Sequence, residues 1–419
     1  MKDAHRLYVG IDWATETHQV CVLAADGEFL AERVVPHSGV GLSDLCGWLS
    51  ELGGGEPAQV GVSIELPHGP VVEALLEQGF AVYTINPKQV DRFRDRFTLA
   101  GAKDDRRDAL VLASALRTDL PCFRRLQVDA PVVIELREWS RMVEELQQER
   151  TRLTNRMREQ LRRCFPQMLA VSSDPGTPWM LALWKLIPTP EAAQRARPSR
   201  VARLLQRHRI RKLDATMVLA QLREPPLTVA PGTVAAATAH LAALGPRVQL
   251  VNEQLTVGRA RLDKLCVALA AEVTPGQAVE QRDVTILRSL PGVGRIVLAT
   301  LLAEAAQPLR ERDYHALRAL GGVAPVTRRS GKRCTVVMRQ ACHVRIRNAL
   351  YHWSRTAVQH DPASRAGYAA LRQRGHSHGR ALRTISCTRR PVPTGTVDFV
   401  TSTAGAVTAL ATSSAAANT

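Results

Sequence analysis

The stretch YVGIDWATETHQVCVLAADG, residues 8–27, decides the fold. It begins with an apolar run that reaches Asp12, and a second apolar run covers residues 18–24. Asp26-Gly27 then follows, which is the strongest short signal for a hairpin turn, and residues 28–35 predict a third strand. The sequence thus predicts three meandering strands, the first of which ends in an acidic residue.

The chain that follows alternates predicted helices and strands. Ser38 is a plausible cap for an amphipathic helix that glycines close, and a buried strand then ends at Glu65. A helix over residues 70–79 and a strand over residues 80–86 come next. Three meandering strands followed by alternating strands and helices are the order of the ribonuclease H fold. We therefore expect residues 1–125 to form one α/β domain.

The middle of the chain, residues 126–280, is predicted to be a helical arm. Residues 132–164 place apolar side chains near heptad spacing among many Arg, Glu and Gln, and residues 233–273 form a second helical stretch. Prolines break the region between them. Two alternatives remain open: the helices pair as an antiparallel coiled coil, or they belong to a bundle packed on its own domain.

The last part of the chain changes composition twice. Residues 281–388 are rich in arginine and predict a mostly helical domain without a heptad pattern. Residues 389–419 are mainly Thr, Ala, Ser and Val with few charges, which predicts a disordered tail. The overall fold class is thus α/β plus all-α.

The charge of the chain indicates a polyanionic partner. Its 419 residues include 56 Lys and Arg against 39 Asp and Glu, a net charge of +17. This excess favours nucleic acid over the alternative, a basic protein of the membrane surface. No stretch approaches 18 consecutive apolar residues, so we expect no membrane span and a cytoplasmic location.

Four acidic residues are candidates for a metal site. Asp12 and Glu65 end strands that are neighbours in a ribonuclease H sheet, and Asp105 and Asp108 share one face at the start of a helix. Clustered carboxylates repel unless cations neutralise them, so we expect Mg²⁺ or Mn²⁺. Two such cations can support cleavage of a phosphodiester. The bland alternative is that the acids of the helix only cap it or favour its dipole.

At these residues the chain resembles the DEDD transposases of bacterial insertion sequences. Three motifs carry the amino-terminal resemblance: the opening stretch, VSIELPHGP with Glu65, and KDDRRDA with Asp105 and Asp108. Three more carry the carboxy-terminal resemblance, in the order LRSLPGVGRIVLATLLAE, LRALGGVAPVTRRSGKR and RIRNALYHW. Together they extend from residue 7 to about residue 385.

This resemblance implies a fold, a chemistry and partners. The first domain would be RuvC-like, with the four acids as catalytic residues, and Ser330 would be a nucleophile that attacks the DNA phosphate. Members of the family are understood to use a bridge RNA that pairs with donor and target DNA. We also expect a homo-oligomer, a dimer or tetramer, that works at the bacterial nucleoid. The tail from about residue 390 lacks the helical continuation usual in the family.

Basic residues and two glycines complete the predicted nucleic-acid surface. Seven cationic residues flank or follow Ser330: Arg328, Arg329, Lys332, Arg333, Arg339, Arg345 and Arg347. Gly292 and Gly294 lie in a turn that resembles a helix-hairpin-helix, whose amides can hold phosphates. The bland alternatives are a solvated basic surface and an ordinary turn between helices.

Other functions are less well supported by the residues. An actin-like ATPase or sugar kinase shares the fold, but its phosphate hairpin usually has glycine after the aspartate, where this chain has Trp13. A non-catalytic nucleic-acid-binding protein does not account for the four acids. A stand-alone junction resolvase leaves residues 283–385 unexplained.

Overall fold

The computed structural model describes residues 5–97, 104–230, 232–271, 283–331 and 333–387. They divide into two compact units, one up to Ala130 and the other from Pro131 onward. This division lies five residues from the predicted boundary at 125/126. The predicted boundary at 280/281 and the predicted tail fall outside the described residues.

The first unit is built on a six-stranded sheet. Its strands are β1 (Leu7–Asp12), β2 (Thr17–Ala24), β3 (Phe29–Pro36), β4 (Val60–Ile64), β5 (Ala81–Thr84) and β6 (Arg124–Arg125). They lie in the order β3-β2-β1-β4-β5-β6, and the pairs β1–β4 and β4–β5 are parallel. The prediction of a RuvC-like α/β domain is confirmed. The short strand β6 and a helix over Pro87–Arg94 are not among the predicted elements.

Helices cover both faces of this sheet. They are α1 (Gly39–Leu52), α2 (Pro70–Glu77), α3 (Pro87–Arg94) and α4 (Asp105–Thr118). Strand residues such as Val9 and Ile11 share a core with α1 and α2, while the alternate position Tyr8 shares a second core with α3 and α4. The Ser38 hydroxyl accepts a hydrogen bond from the Gly41 amide at 3.1 Å, so the predicted cap is present.

Gly10 allows α4 to lie directly on β1. A Cβ at this position would be 2.0 Å from the Ala109 carbonyl oxygen and 2.5 Å from the Ala113 amide nitrogen. At the other end of α4, Arg117 lies against Gly27, near the start of β1. The helix therefore runs antiparallel to β1, and its first turn lies at the end of the strand that carries Asp12.

The second unit is helical except for one hairpin. Its helices are α5 (Pro131–Cys164), α6 (Gln167–Val171), α7 (Pro178–Leu186), α8 (Pro190–Arg195), α9 (Pro198–Arg207), α10 (Ala215–Leu222), α11 (Thr233–Ala271), α12 (Asp283–Ser289), α13 (Arg295–Glu304), α14 (Ala306–Arg310), α15 (Tyr314–Leu320), α16 (Val344–His360), α17 (Pro362–Gln373) and α18 (His378–Ile385). The hairpin is formed by β7 (Val326–Ser330) and β8 (Arg333–Val337). No helix in the described ranges is both long and apolar enough to cross a lipid bilayer.

The two longest helices pair in opposite directions. Arg261 of α11 reaches Glu135 near the start of α5, whereas Arg150, farther along α5, donates to the Asn252 side chain at 2.8 Å. Between these contacts, Gly258 lies against Val143, where a Cβ would be only 2.6 Å from a Val143 methyl group. Of the two alternatives for the arm, the antiparallel pair is therefore present, with shorter helices packed around it.

The arm and the carboxy-terminal helices form one core. Arg137 of α5 donates two hydrogen bonds, at 3.1 and 2.9 Å, to the Ala303 carbonyl at the end of α13. Buried residues from Leu136 to Trp353 belong to one continuous apolar cluster. The change in periodicity along the chain predicts an arm and a carboxy-terminal domain, and it does not predict the shared core. This core depends on contacts between residues that are far apart in sequence, which periodicity does not report.

Candidate active site

Asp12 and Glu65 lie side by side at one edge of the sheet. The last paired residues of the parallel strands β1 and β4 are Ile11 and Ile64, and the two acids come directly after them on this register. Neighbouring strands are about 4.8 Å apart. Because side chains alternate between the faces, positions 12 and 65 belong to the face that α4 covers, opposite to the face of Ile11 and Ile64.

The first turn of α4 brings the other two acids to the same edge. Asp105 is exposed, while Asp108 is only 3% exposed. Since α4 runs antiparallel to β1, both acids lie near the end of the strand that Asp12 closes. The Glu65 main chain is held there by the Thr84 hydroxyl, which donates to its carbonyl oxygen at 3.1 Å. The four predicted acids thus share one edge of the first unit.

Arg94 neutralises the buried acid of this edge. Its Nε donates to Asp108 Oδ1 at 2.6 Å, and its Nη1 donates to Asp91 at 2.7 Å. The hydrogen bond to Asp108 raises the pKa of Arg94 against the opposing effect of burial. Across the part of the chain that the structure describes, no three His, Cys, Asp or Glu side chains converge closely enough to hold a metal ion. Asp108 therefore has a guanidinium as its counterion.

A buried histidine, His18, and the exposed His37 support the loop after Asp12. The Ala14 amide donates to His18 Nδ1 at 3.4 Å, and His18 Nε2 lies 2.9 Å from His37 Nδ1. The His18 side chain is fully buried, and burial together with His37 lowers its pKa below the ordinary value. The contact between His18 and His37 thus fastens the chain next to the first acid.

Ser330 lies at the tip of the β7–β8 hairpin. It is the last residue of β7, it is exposed, and it pairs across the ribbon with Arg333. Gly331, which follows it, has a φ of +54°, a conformation suited to glycine in a tight turn. Arg328 lies two positions before Ser330, and hence on the same face as Ser330 and Arg333. Two guanidinium groups therefore flank this hydroxyl.

The other predicted basic residues have different surroundings. Arg329 is exposed on the hairpin, and Arg339 donates weakly to the Ala324 carbonyl at its base. Arg347 lies against Cys342, with Nη1 3.8 Å from the sulfur. Lys332 lies outside the described residues. The predicted set is thus spread over different environments of the second unit.

The two predicted glycines also differ. Gly292 has a φ of +82°, and a Cβ there would be 2.7 Å from the Ala357 amide nitrogen, so packing against α16 accounts for this glycine. Gly294, before α13, is exposed and has open space where a Cβ would be. Gly294 is thus the more exposed of the two, since Gly292 is half-buried.

Arg345 belongs to an ion-pair network inside the second unit. Its Nε donates to Glu144 at 2.6 Å, its Nη2 donates to the Ser140 hydroxyl at 2.8 Å, and its Nη1 contacts Glu304. Glu304 also binds Arg141 at 3.1 Å. These contacts join α5, α13 and α16. They give Arg345 a structural role that its place in the basic sequence did not indicate.

We expect Glu304→Gln to destabilise the protein strongly. The Glu304 side chain is only 4% exposed, and its loss of charge leaves Arg141 and Arg345 without their shared counterion. Removing one partner of a buried pair costs about 3 kcal/mol in the free energy of unfolding. Chemical denaturation at neutral pH measures this loss. The matched control is Glu138→Gln, whose 65% exposed carboxylate also contacts Arg141 and should contribute less than about 1 kcal/mol.

The pH dependence provides a second readout for this carboxylate. Burial opposes ionisation of Glu304, but Arg141, His343 and Arg345 outweigh it and hold its pKa below the ordinary value of 4.5. Its stabilisation is therefore complete above pH 4.5 and is lost as the pH falls through the lowered pKa. The stability gap between wild type and Glu304→Gln should narrow over that range. A gap independent of pH, or equal losses in both variants, would contradict this account.

Sequence reasoning missed the residues that support these sites. Arg94 lies outside the quoted motifs, and His18 and Glu304 lie inside two of them at positions that no signal marks. Each acts through a partner at least 14 positions away in sequence. A lone arginine 14 residues before Asp108 carries no periodic signal. Their roles follow only from the folded arrangement.

Two family models of transposases match this chain. Residues 9–166 match the model of the DEDD transposases of the IS110 type, and residues 284–369 match the model described as the transposase IS116/IS110/IS902 family. The first match includes all four acids, and the second includes Ser330.

Three relatives are similar to the chain. "Putative transposase y4uE" of Sinorhizobium fredii is 57% identical over 216 residues, which are 51% of this chain and 60% of that relative. "Mini-circle putative transposase for IS117" of Streptomyces coelicolor is 30% identical over 391 residues, 91% of each chain. The protein of insertion element IS116 of Streptomyces clavuligerus is 28% identical over 405 residues, 92% of this chain and 93% of its own. The chain belongs to the IS116/IS110/IS902 family of transposases.

Proposed function

We propose that this protein cuts and rejoins DNA to move a bacterial insertion sequence, with Asp12, Glu65, Asp105, Asp108 and Ser330 as catalytic residues. The observation that carries the proposal is the gathering of the four acids at one edge of a RuvC-like sheet. Asp108 is buried beside Arg94, and Asp12 and Glu65 are half-buried, although acidic side chains are mostly found exposed in proteins. Membership of a transposase family supports DNA as the substrate.

The four acids have the chemistry of a magnesium site. Carboxylate oxygens are the ligands that Mg²⁺ and Mn²⁺ prefer, and Asp12, Glu65, Asp105 and Asp108 belong to the same edge of the first unit. When bound, such ions polarise a phosphodiester and stabilise its leaving oxygen. The role of the fold is to hold the acids at fixed positions. The β1–β4 register positions Asp12 and Glu65, and Gly10 lets α4, which carries Asp105 and Asp108, approach β1.

Ser330 is the proposed nucleophile. Its oxygen would form a bond to phosphorus as the bond from phosphorus to one deoxyribose oxygen breaks, and the serine proton would pass overall to that leaving oxygen. Attack by the hydroxyl of another strand would then release the serine and join the new ends. The exposed tip of the hairpin gives a strand access, and Arg328 and Arg333 suit the charge of the phosphate.

The partners follow from charge and family. The net charge of +17 suits the DNA of the element ends and the target. We further propose that a bridge RNA guides the choice of these sequences, and that two or four copies assemble on them at the bacterial nucleoid. Arg329, Lys332, Arg339, Arg347 and the Gly294 turn are the remaining proposed contacts to nucleic acid, with Arg345 and Gly292 supporting them from the core.

The experiment that tests the function is recombination between two plasmids in bacteria. One carries the element ends with enough flanking DNA to supply any RNA, and the other carries the target. The proposal expects joined products whose junctions lie at the element ends. Purified protein that binds magnesium and ATP tightly, without affinity for DNA, would instead indicate a nucleotide-dependent enzyme and overturn the proposal.

Removal of Arg94 should expose the proposed link between Asp108 and the metal. In wild type, a cation must displace Arg94 from Asp108, whose side chain is only 4% exposed. We expect Arg94→Gln to lower the free energy of unfolding by about 3 kcal/mol without metal, because a buried carboxylate loses its counterion. Added Mg²⁺ should then raise the melting temperature of the variant more than that of wild type.

The matched control is Arg96→Gln. Arg96 pairs with Asp119 at 3.3 Å, but both side chains are largely exposed, so the change should cost less than about 1 kcal/mol. Its response to Mg²⁺ should equal that of wild type. If Mg²⁺ leaves the melting temperatures of wild type and of both variants unchanged, the metal does not bind at Asp108.

A further inference from the structure

A basic cavity lies at the base of the hairpin whose tip carries Ser330. Its volume is about 350 Å³. Four parts of the second unit line it: the end of α15 with the loop after it, the start of β7, the end of β8, and α18. The lining includes Arg318, Pro325, Val336, Arg339, His376, Arg380 and Arg383.

The charges around this cavity have one sign. Arg318, Arg339, Arg380 and Arg383 contribute to its wall, together with His376. No Asp or Glu belongs to the lining within the described ranges. Elsewhere in the same unit, buried arginines such as Arg345 are matched by carboxylates. The cavity therefore gathers cationic groups that no carboxylate of its described lining neutralises.

Two nitrogen atoms in the wall have unused hydrogen-bonding capacity. Arg318 Nε and His376 Nδ1 are both buried, and among the described atoms neither has a hydrogen-bond partner. Buried polar atoms are nearly always paired, because an unpaired one loses its bond to water without replacement. Arg318 is held from the other side by the Tyr314 ring, 5.0 Å from its guanidinium carbon. These atoms indicate a ligand that accepts hydrogen bonds.

Neighbouring guanidinium groups in the wall of the cavity also repel one another. Arg380 and Arg383 lie one helical turn apart, and burial together with the charge of Arg380 lowers the pKa of Arg383. A bound anion would reverse this repulsion and accept bonds from the planar guanidinium donors, which match the oxygens of a phosphate. Carboxylate ligands have only two oxygens for four arginines, so phosphate satisfies more of the donors.

We infer that this cavity binds a phosphate group of a nucleic-acid strand. The hairpin connects the cavity to Ser330: Pro325 and Val336 line the cavity, and Ser330 lies four residues beyond Val326. Four residues of extended strand span about 13 Å. Phosphates follow one another at about 3.4 Å of rise along one strand of a duplex. A strand attacked at the tip can thus place a phosphate, several nucleotides away, in the cavity.

The inference rests on the nucleic-acid binding of the proposed function and adds to it a second point of attachment. Sequence reasoning included Arg339 in the basic set but none of its companions in the wall. Arg318 and Arg383 are 65 positions apart, and only the packing of α15 and α18 against the hairpin brings them to one cavity. Such an attachment would fix the register of the strand at Ser330.

The test measures binding of a labelled 20-nucleotide DNA strand with a 5′-hydroxyl by fluorescence anisotropy at several salt concentrations. The cavity variant is Arg318→Gln/Arg383→Gln in the full chain. Its matched control is Arg355→Gln/Arg374→Gln, which removes two exposed arginines of the same unit outside the cavity. Relative to the control, we expect the cavity variant to bind the DNA strand about tenfold more weakly. The slope of the logarithm of its binding constant against the logarithm of the salt concentration should also become shallower, by the amount that about one phosphate contact contributes.

A second variant keeps the test independent of folding. Arg318→Lys/Arg383→Lys retains both charges, so it should keep most of the salt dependence while it loses affinity from the missing forked donors. Thermal unfolding verifies that all variants are folded. Equal losses in the cavity variant and in the exposed control would overturn the inference, because the arginines would then act only through net charge.

Two further arms distinguish the source of the phosphate. A loss confined to strands that carry a 5′-phosphate would identify a terminal phosphate as the ligand and would still support the cavity. Inorganic phosphate is titrated by calorimetry into wild type and the cavity variant. Phosphate binding lost in the variant, with DNA binding unchanged, would overturn the nucleic-acid part. Wild type that binds phosphate here but no DNA would count against the proposed function and not against the anion site.

Discussion

Asp12→Asn should abolish DNA strand cleavage while nucleic-acid binding remains. The amide keeps the size of the side chain, so the β1–β4 register that places position 12 beside Glu65 is retained. It removes one negative charge from the edge that is proposed to hold Mg²⁺. A loss of about 4 kcal/mol of transition-state stabilisation corresponds to about a thousandfold in rate. Cleavage of a labelled element end in the presence of Mg²⁺ measures the effect.

The control for this change is Asp44→Asn. Asp44 is an exposed acid of α1, which covers the opposite face of the sheet, so cleavage should stay at the wild-type level. Anisotropy with the same DNA confirms that binding is retained, and thermal unfolding confirms the fold. An Asp12→Asn protein that still cleaves at the wild-type rate would mean that the four acids are not the catalytic group.

Ser330→Ala should eliminate the covalent link between protein and DNA. The change removes one exposed oxygen at the tip of the hairpin, where Ser330 pairs with Arg333, so the strands should stay paired. With no oxygen to bond to phosphorus, strand exchange through a protein-linked intermediate stops completely. The measurement is a denaturing gel of labelled element ends quenched during the reaction, on which a linked strand moves with the protein.

Thr327→Ala is the control for the hairpin. Thr327 is exposed on the same strand, but it lies on the opposite face from Ser330, so the linked species should form as in wild type. Plasmid recombination provides the second readout. A linked species that persists in Ser330→Ala would place the nucleophile elsewhere, and recombination without any linked species in wild type would indicate that the carboxylates alone cut and join the strands.

Most elements of the amino-terminal unit can be predicted from local sequence patterns. The alternation of apolar residues, the Asp26-Gly27 turn and the cap at Ser38 were enough to predict the strands β1 to β5, with α1, α2 and the start of α4. Each of these signals depends on residues within a few positions of one another, and burial of one face enforces them. The edge location of Asp12 and Glu65 follows from the same pattern, because both acids terminate parallel strands.

In the carboxy-terminal unit, local sequence patterns do not predict the hairpin or the ion pairs. The sequence predicts no strand in the basic stretch around Ser330, but this stretch forms the β7–β8 hairpin, which is held by pairing across the turn and not by apolar alternation. The ribbon is mostly exposed and rich in arginine, so the usual strand signal is weak. Its neighbour Arg345 has the same charge in the sequence yet binds Glu304 in the interior.

The sequence by itself determined the fold class, the two long helices, the four acids and their family. Only the tertiary structure decided that Arg94 is the counterion of Asp108, that α4 approaches β1 through Gly10, that the arm shares its core with the last helices, and that four arginines surround one cavity. The physical reason is distance along the chain. Helices, strands and turns arise from neighbours, whereas ion pairs, close approaches and cavities arise from residues that folding alone brings together.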